Sequence, residues 1–363
     1  MSRSSSRRLR QALHRSLACA GLLAASTAFA APPAYRIELL DKSNGIKPKY
    51  VNAISDNGNI AGCGRNSRTG SDVSYLQRGG AKPVALKGSS GYCSFEGDVN
   101  DAGDVLSEYL RDEGNILTVQ GALWSHDGAM TDLNKLAGCD ATTEDDYSSI
   151  GALNQAGDAA FSIDCRIHGT EVISAVLWRQ GKLVFLARMG SRGLPRVSDL
   201  NNLGQAAGSM DTADNSSTRA VVWEPDGTVR MLGTLGGSMS FASGINDLGH
   251  VVGTSTLPSW ESRGFFFDGQ TMKELPTCGG KFSPYPTGIT NDGLIVGGYG
   301  GQKHHHVAVI QDGECFALDA LLDASGAGWA NLGASSVNNA GVILGKGLYN
   351  GVEHAYIATP VVR

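Results

Sequence analysis

Two histidines in a run of three could hold a metal ion in this chain of 363 residues. His304-His305-His306 lies in a β-prone segment. On a strand, His304 and His306 would share one face about 6.6 Å apart, a spacing at which two imidazoles can chelate a metal together with a third ligand. The sequence shows no identifiable third ligand, and a partly solvated strand end is the competing interpretation. We therefore predict neither a metal nor another cofactor.

An acidic run, Glu144-Asp145-Asp146, forms a second candidate site. Three adjacent carboxylates could bind a cation or a basic partner. The run lacks the alternating Asp-x-Asp-x-Asp-Gly pattern of a calcium loop, and charge runs are commonly solvated loop surfaces. Both interpretations remain open for these three residues.

Motifs for nucleophilic catalysis are missing from the sequence. It contains no GxSxG elbow, no HExxH and no SxxK on a predicted helix, so we assign no catalytic residue. Trp124, Trp178 and Trp223 recur at one position of a repeat, which predicts a packing role. Trp260 and Trp329 fall outside that register, in predicted loops, and could stack on sugar rings there.

The first thirty residues have the three parts of an export signal. They combine five arginines, an apolar stretch at 17–25 and small residues at Ala28 and Ala30. We predict cleavage before Ala31, with residues 31–363 as a single domain that is periplasmic or extracellular. No other apolar run approaches the length of a membrane span, so we expect no membrane insertion after the signal is removed.

Charge excludes one class of partner. The chain has 30 basic and 35 acidic residues, and the five leader arginines are lost with the signal. This leaves 25 basic residues and a formal charge of about −10 on the mature protein. Binding a nucleic acid requires a basic patch, which this balance opposes.

Six cysteines remain outside the leader: Cys63, Cys93, Cys139, Cys165, Cys278 and Cys315. An even number in an exported chain indicates up to three disulfides. The sequence contains no CxxC pair, so it indicates neither a zinc centre nor a thioredoxin-type redox centre. Fifteen pairings are possible, and we predict that neighbours in sequence pair: 63–93, 139–165 and 278–315.

A short phrase recurs seven times along the chain, and each copy contains a polar residue followed three positions later by glycine. These glycines are Gly58, Gly103, Gly157, Gly204, Gly249, Gly293 and Gly341. Polar residues such as Asn open turns through side-chain bonds to the backbone, and glycine supplies a positive φ. The phrase, with apolar residues on both sides, predicts a β-hairpin. A second glycine four residues later, as at Gly253, predicts a close backbone approach or a bend, although Ser107 and Phe161 replace it in the second and third copies.

A second hairpin follows six of the seven copies, as in AVVWEPDGTVRML at 220–232. Four short strands per 44–54 residues are typical of β-propeller blades. The last unit has only three strands, whereas an unassigned strand precedes the first copy at 35–40. We therefore predict an all-β, seven-bladed propeller whose ring closes when the N-terminal strand joins the last blade. An open solenoid of four-stranded units is the alternative.

A family resemblance supports this interpretation. His354-Ala355-Tyr356 resembles the His-Ala-Phe that names the HAF family of bacterial extracellular repeats, and the stretch 219–253 resembles a full repeat. Nearly all of the mature chain is covered, although the histidine position varies among copies. The resemblance implies a secreted or surface-associated propeller and no established reaction.

Function is predicted at the level of class only. The absence of catalytic motifs favours a monomeric, non-enzymatic binding module for an unknown protein or glycan. The alternative is a carbohydrate-active enzyme, a polysaccharide lyase or hydrolase, with its site at the mouth of the propeller channel. Two or more carboxylates, or a His–carboxylate pair, that converge in a pocket with perturbed pKa values would favour the enzyme. An exposed aromatic or apolar loop patch without such convergence would favour the binding module.

Overall fold

Seven four-stranded antiparallel sheets form the blades of a β-propeller. The structure is a computed structural model and describes residues 33–40, 43–89, 91–94, 96–112, 117–140, 147–189, 195–301 and 304–361. The predicted export signal lies outside these residues. The predicted seven-bladed ring is confirmed.

The first four blades follow one another along the chain, and their strands are given from the innermost to the outermost. Blade 1 is β2 Ile46–Ile54, β3 Ile60–Asn66, β4 Asp72–Gln77, β5 Val84–Ala85; blade 2 is β6 Asp98–Val99, β7 Val105–Asp112, β8 Leu117–Trp124, β9 Met130–Asp132; blade 3 is β10 Tyr147–Leu153, β11 Ala159–Ile167, β12 Thr170–Arg179, β13 Lys182–Phe185; blade 4 is β14 Arg196–Leu200, β15 Ala206–Asp211, β16 Thr218–Trp223, β17 Val229–Met231.

The remaining blades keep the same order, except that the last takes its outermost strand from the N-terminus. Blade 5 is β18 Ser240–Ile245, β19 Val251–Thr256, β20 Ser262–Phe267, β21 Met272–Glu274; blade 6 is β22 Tyr285–Ile289, β23 Ile295–Gly301, β24 His304–Gln311, β25 Glu314–Ala317; blade 7 is β26 Trp329–Val337, β27 Ile343–Tyr349, β28 Val352–Val361, β1 Ala34–Leu39.

Ring closure depends on β1. It pairs antiparallel with β28, with Ile37 opposite Ala358 and Leu39 opposite Tyr356. Tyr35 and Ile37 are buried in the core of blade 7. The strand predicted at 35–40 therefore occupies the predicted place, and the open solenoid is excluded.

Each of the seven turn glycines has a positive φ, between 73° and 92°, as the hairpin prediction requires. The second glycine also has the predicted role. A Cβ on Gly253 would overlap the carbonyl oxygen of Phe241 on the neighbouring inner strand, where a β-bulge lies between Ala242 and Gly244. Blade 3 has Phe161 in place of the second glycine and a glycine in the bulge instead, Gly151. The glycine that makes room for the bulge can therefore lie on the second strand, as in blade 5, or in the bulge of the first strand, as in blade 3.

The core lies between neighbouring blades. Trp124 and Trp223 are fully buried, and each indole Nε1 donates to a backbone carbonyl at 2.8 Å, that of Lys87 and Ala187 respectively. The predicted packing role is confirmed for both, while Trp178 is partly buried against the core of blade 3.

Short helices were not predicted. The α-helices α1 Leu133–Ala137 and α2 Leu318–Leu321, and the 3-10 turns Ser43–Gly45 and Ala324–Gly326, lie outside the four-stranded pattern. Asp132 caps the start of α1, because its side chain accepts a hydrogen bond from the Lys135 N–H. Gly138, in the left-handed backbone region, ends the helix. Among the described residues, no helix has both the length and the apolar character needed to cross a bilayer.

Candidate functional site

Two faces of the propeller differ in their connections. In each blade the innermost strand ends in the repeated glycine turn. Hydrogen bonds join these turns around the axis, so all seven lie on one face of the ring, which we call the turn face. Because the strands are antiparallel, the links between second and third strands, and those between blades, lie on the opposite face, the loop face.

The predicted pairs Cys63–Cys93, Cys139–Cys165 and Cys278–Cys315 are all present. Each ties a strand to a connection between blades.

On the turn face, hydrogen bonds between the turns run around the whole ring. In six blades the backbone N–H of the second turn residue donates to the side-chain oxygen of its counterpart in the next blade, at 2.8–3.0 Å. The donor–acceptor pairs are Asp101–Gln155, Gln155–Asn202, Asn202–Asp247, Asp247–Asn291, Asn291–Asn339 and Asn339–Asp56. From blade 1, the Asn57 N–H donates to Asp101 and closes the circle.

The first turn residue adds a second set of links. The Asn201 Oδ1 accepts the N–H groups of Leu203 and Gln205 within its own turn, while its Nδ2 donates to the Asn246 carbonyl of the next blade at 2.9 Å. The sequence predicted the bonds within the turn. It did not reveal that the same amide joins two blades. Two blades lack an amide at this position. Ser55 occupies it in blade 1, where the Asn59 Nδ2 donates to the Asn100 carbonyl instead, and Thr290 occupies it in blade 6, with no amide to reach Asn338.

These turns and the ends of the inner strands enclose an axial pocket of about 240 Å³. Its described lining contains Asn amides, Ser and Thr hydroxyls and four carboxylates, and no Lys, Arg or His. The carboxylates belong to Asp56, Asp98, Asp199 and Asp247. The site is therefore polar and negatively charged.

Asp98 and Asp199 occupy equivalent positions in blades 2 and 4. Asp98 accepts the N–H of Val99 and the N–H of Leu153 in the next blade, both at 2.8 Å. Asp199 makes the same pair of bonds with Leu200 and Ile245. Each carboxylate therefore joins two blades while lining the pocket.

Both carboxylates resist ionisation. Burial, with a smaller contribution from the negative charge of Asp199, raises the pKa of Asp98 to about 7. The two backbone N–H donors stabilise the ionised form and offset only part of this rise. Burial raises the pKa of Asp199 to about 6, with a further contribution from Asp247. Burial also opposes ionisation of Asp247, but the Asn202 and Asn291 donors hold its pKa below the usual value. The pocket thus contains two half-buried carboxylates without a compensating cation.

Sequence reasoning did not single out Asp98 or Asp199. When the repeats are aligned, Asp98 and Asp199 differ from the other five copies, which have small residues at the corresponding position. These are Ala53, Ala152, Gly244, Gly288 and Ser336. A polar exception at a small-residue position could have marked the pair, but only a closed ring brings both into one pocket.

Aromatic side chains are exposed on the loop face of blades 5 and 6. We call Phe241, Trp260, Phe282 and Tyr285 the aromatic group; they are 41%, 71%, 38% and 49% exposed. Phe241 and Tyr285 lie two residues before the bulges of neighbouring inner strands. Trp260 lies in the loop between β19 and β20, as predicted, with φ of 68°, a backbone region that costs a bulky residue about 1–2 kcal/mol.

The histidine cluster is near this group. His306 Nδ1 lies 2.9 Å from an Asp319 carboxylate oxygen, and its ring stacks on Tyr299 at 5.2 Å. The Tyr299 ring also contacts Phe282, with 6.4 Å between the two ring centroids. His304 is the first residue of β24. Among the described residues, no three His, Cys, Asp or Glu side chains group as metal ligands.

Trp329 was predicted in a loop, and this is wrong. It begins β26, and its half-buried ring packs 5.2 Å from Tyr349 and 5.6 Å from Tyr356. The blade 7 core uses this indole because the inner strand begins earlier than the repeat register indicates. Glu144, Asp145 and Asp146 lie outside the described residues, so that candidate stays a prediction.

The fold and site define a seven-bladed propeller with a polar axial pocket. No family model and no curated protein matches the sequence. Similar solved structures include a puromycin-hydrolysing peptidase from Mycobacterium tuberculosis (13% identity, TM-score 0.51, covering 87% of this chain and 53% of that one), the Pyrococcus horikoshii acylaminoacyl peptidase (12%, 0.49, 82% and 50%) and TolB from Acinetobacter baumannii (14%, 0.38, 66% and 62%).

These likenesses extend to only part of each known protein. The chain spans about half the length of the two peptidases and 62% of TolB. At such low identity, the similarity to the Mycobacterium tuberculosis peptidase concerns the fold alone. The resemblance to HAF repeats remains a prediction.

Proposed function

We propose that the protein is an exported, non-enzymatic binding module, of the HAF-repeat type, that holds a glycan on its loop face. The observation that carries this proposal is the exposure of the aromatic group on the face whose connections the three disulfides anchor. Disulfides persist in oxidising compartments outside the cytoplasm, which agrees with export to the periplasm or beyond.

A glycan fits this surface better than a purely apolar partner. Phe241, Trp260 and Tyr285 offer flat apolar rings that can cover the C–H face of a sugar. Polar groups stand close by, since His306 and Asp319 flank the Tyr299 ring that Phe282 contacts. Anchored connections reduce the entropy that a loop would lose on binding.

Glycan-array binding of the mature chain tests the proposal, with a Phe241→Ala/Tyr285→Ala variant measured beside wild type. We expect this variant to lose at least tenfold in affinity for the glycans that wild type selects. Leu248→Ala is the matched control, because Leu248 is 65% exposed in the same blade but on the turn face. Circular dichroism verifies the fold of each variant. Absence of array binding, or binding that the double variant leaves unchanged, would refute the proposal.

The axial carboxylates favour a second candidate, a polysaccharide lyase or hydrolase with its site at the channel mouth. Asp98 has a pKa of about 7, which suits a general acid, and Asp199 lines the same pocket. Incubation with the bound glycans followed by product analysis distinguishes the two functions. Shortened or unsaturated sugars that disappear with Asp98→Asn would establish the enzyme and exclude the pure binding module.

A further inference from the structure

The axial pocket has negative charge without a basic partner. Four carboxylates line it, and none of them has a Lys, Arg or His within ion-pair distance in the described part of the chain. A concave site lined by one sign of charge concentrates counter-ions of the opposite sign. The pocket is thus suited to a cation.

Several hydrogen-bond donors near the pocket are already used. The N–H groups of Leu153 and Ile245 are bonded to Asp98 and Asp199. At the turns, Asp247 receives the Asn202 N–H and the Nδ2 groups of Asn202 and Asn291. Acceptor lone pairs on these carboxylates remain free, because each oxygen can accept more than one bond. A ligand that donates hydrogen bonds therefore fits this lining.

Asn52 provides an independent observation. Its side chain is nine-tenths buried and lines the pocket. The Nδ2 atom donates to the carbonyls of Ser94 and Glu96, neither of which lines the pocket. Its Oδ1 has no hydrogen-bond partner among the described residues, so this lining residue carries one buried, unsatisfied acceptor. A buried acceptor without a donor costs about 1–3 kcal/mol, and a donor ligand would remove that cost.

We propose that the axial pocket binds a small organic cation through a primary ammonium or guanidinium group, with Asp98, Asp199 and Asn52 as acceptors. Ammonium and guanidinium groups carry three to five N–H donors and no acceptor, which complements this lining. A bare metal ion fits less well, since no three His, Cys, Asp or Glu of the described residues group as ligands. The volume of about 240 Å³ accommodates an organic group rather than an ion alone.

Proton linkage supports the proposal. The groups that face Asp98 and Asp199 are the carboxylates of Asp56 and Asp247 and neutral amides and hydroxyls. Because the pKa values of Asp98 and Asp199 are about 7 and about 6, a cation must displace protons from them at low pH. Affinity for the cation therefore rises between pH 5 and pH 8.

Calorimetric titration of the mature protein with putrescine and with butane-1,4-diol tests this inference, because the diol has the same length without charge. We expect putrescine to bind at least tenfold more tightly than the diol, and at least tenfold more tightly at pH 8 than at pH 5. Acetyl-Gly-Arg-Gly-amide forms a second arm. Binding of the peptide alone would identify the cation as a side chain of a partner rather than a free amine.

Variants and a measurement on wild type complete the design. Asp98→Asn and Asp199→Asn should each weaken putrescine at least tenfold, whereas Asp127→Asn, in an exposed turn outside the pocket, should not. Should the pocket variants fail to fold, carboxyl-carbon NMR titration of wild type replaces them, and putrescine should lower the Asp98 pKa by at least one. Equal binding of amine and diol, no binding of either cationic probe, an unchanged Asp98 pKa, or binding of calcium chloride alone would overturn the proposal. The glycan site lies on the opposite face, so either proposal can fail without the other.

Discussion

Individual glycines in the second strand of a blade make room for the bulge in the first. Gly297 faces the Tyr285 carbonyl, which a Cβ would overlap, and the backbone of Pro286 lies behind it. Its neighbour Gly298 has open space, since the nearest atom to a Cβ is the His306 carbonyl oxygen at 3.9 Å. Adjacent glycines on one strand thus have different roles.

Gly297→Ala should destabilise the protein by about 1–3 kcal/mol, because the inner strand must shift to remove the overlap. Gly298→Ala, the control on the same strand, should change the free energy of unfolding by less than about 0.5 kcal/mol. Chemical denaturation of both variants measures the difference. Equal stabilities would show that the close approach at Gly297 carries no structural cost.

Among the elements, the glycine turns both reverse the chain and connect the blades. Asn201 caps its own turn and reaches the Asn246 carbonyl, whereas Thr290 caps its turn through Oγ1 alone. The link from blade 6 to blade 7 therefore lacks the amide that Asn supplies at this position in five blades and that Asn59 supplies in blade 1. Asn and Thr have similar volumes, so the two residues can be exchanged.

Thr290→Asn should stabilise the protein by about 0.5–1.5 kcal/mol, because the new amide can donate to the Asn338 carbonyl of blade 7. The reverse exchange, Asn201→Thr, should destabilise it by a similar amount. Both changes are measured as shifts in the denaturation midpoint at constant slope. A destabilised Thr290→Asn together with an unaffected Asn201→Thr would contradict a linking role for this amide.

Much of this element level could be predicted from the sequence. Glycine and asparagine preferences are local properties of the backbone, so the hairpins at Gly103 or Gly249 follow from short-range chemistry. Cysteine pairing followed from proximity in sequence within one repeat. The start of β26 at Trp329 could not be predicted, because packing against Tyr349 and Tyr356, rather than the repeat register, decides it.

For the whole molecule, the joint between β1 and β28 converts a row of blades into a ring. Ile37 is 3% exposed within the blade 7 core, while Glu38, next to it, points to solvent. The joint removes the open edge at which propeller strands could pair with another copy.

Ile37→Ala should lower the free energy of unfolding by about 2–4 kcal/mol through loss of buried apolar contacts. Glu38→Ala, one residue along the same strand, should change it by less than about 0.5 kcal/mol. Denaturation followed by tryptophan fluorescence, with size-exclusion chromatography for association through a freed edge, compares them. A tolerated Ile37→Ala would mean that β1 contributes little to holding the ring.

The sequence by itself determined the number of repeats, the strands in each, the turn glycines, the disulfide pairs and the strand that closes the circle. These features depend on local backbone preferences and on a pattern repeated every 44–54 residues, which a single chain displays directly. The shared pocket of Asp98 and Asp199, the linking amides and the exposed aromatic group were decided only by the tertiary structure. Residues 101 positions apart meet at the axis because all seven blades close around it, and only that closure buries their carboxylates and raises their pKa values.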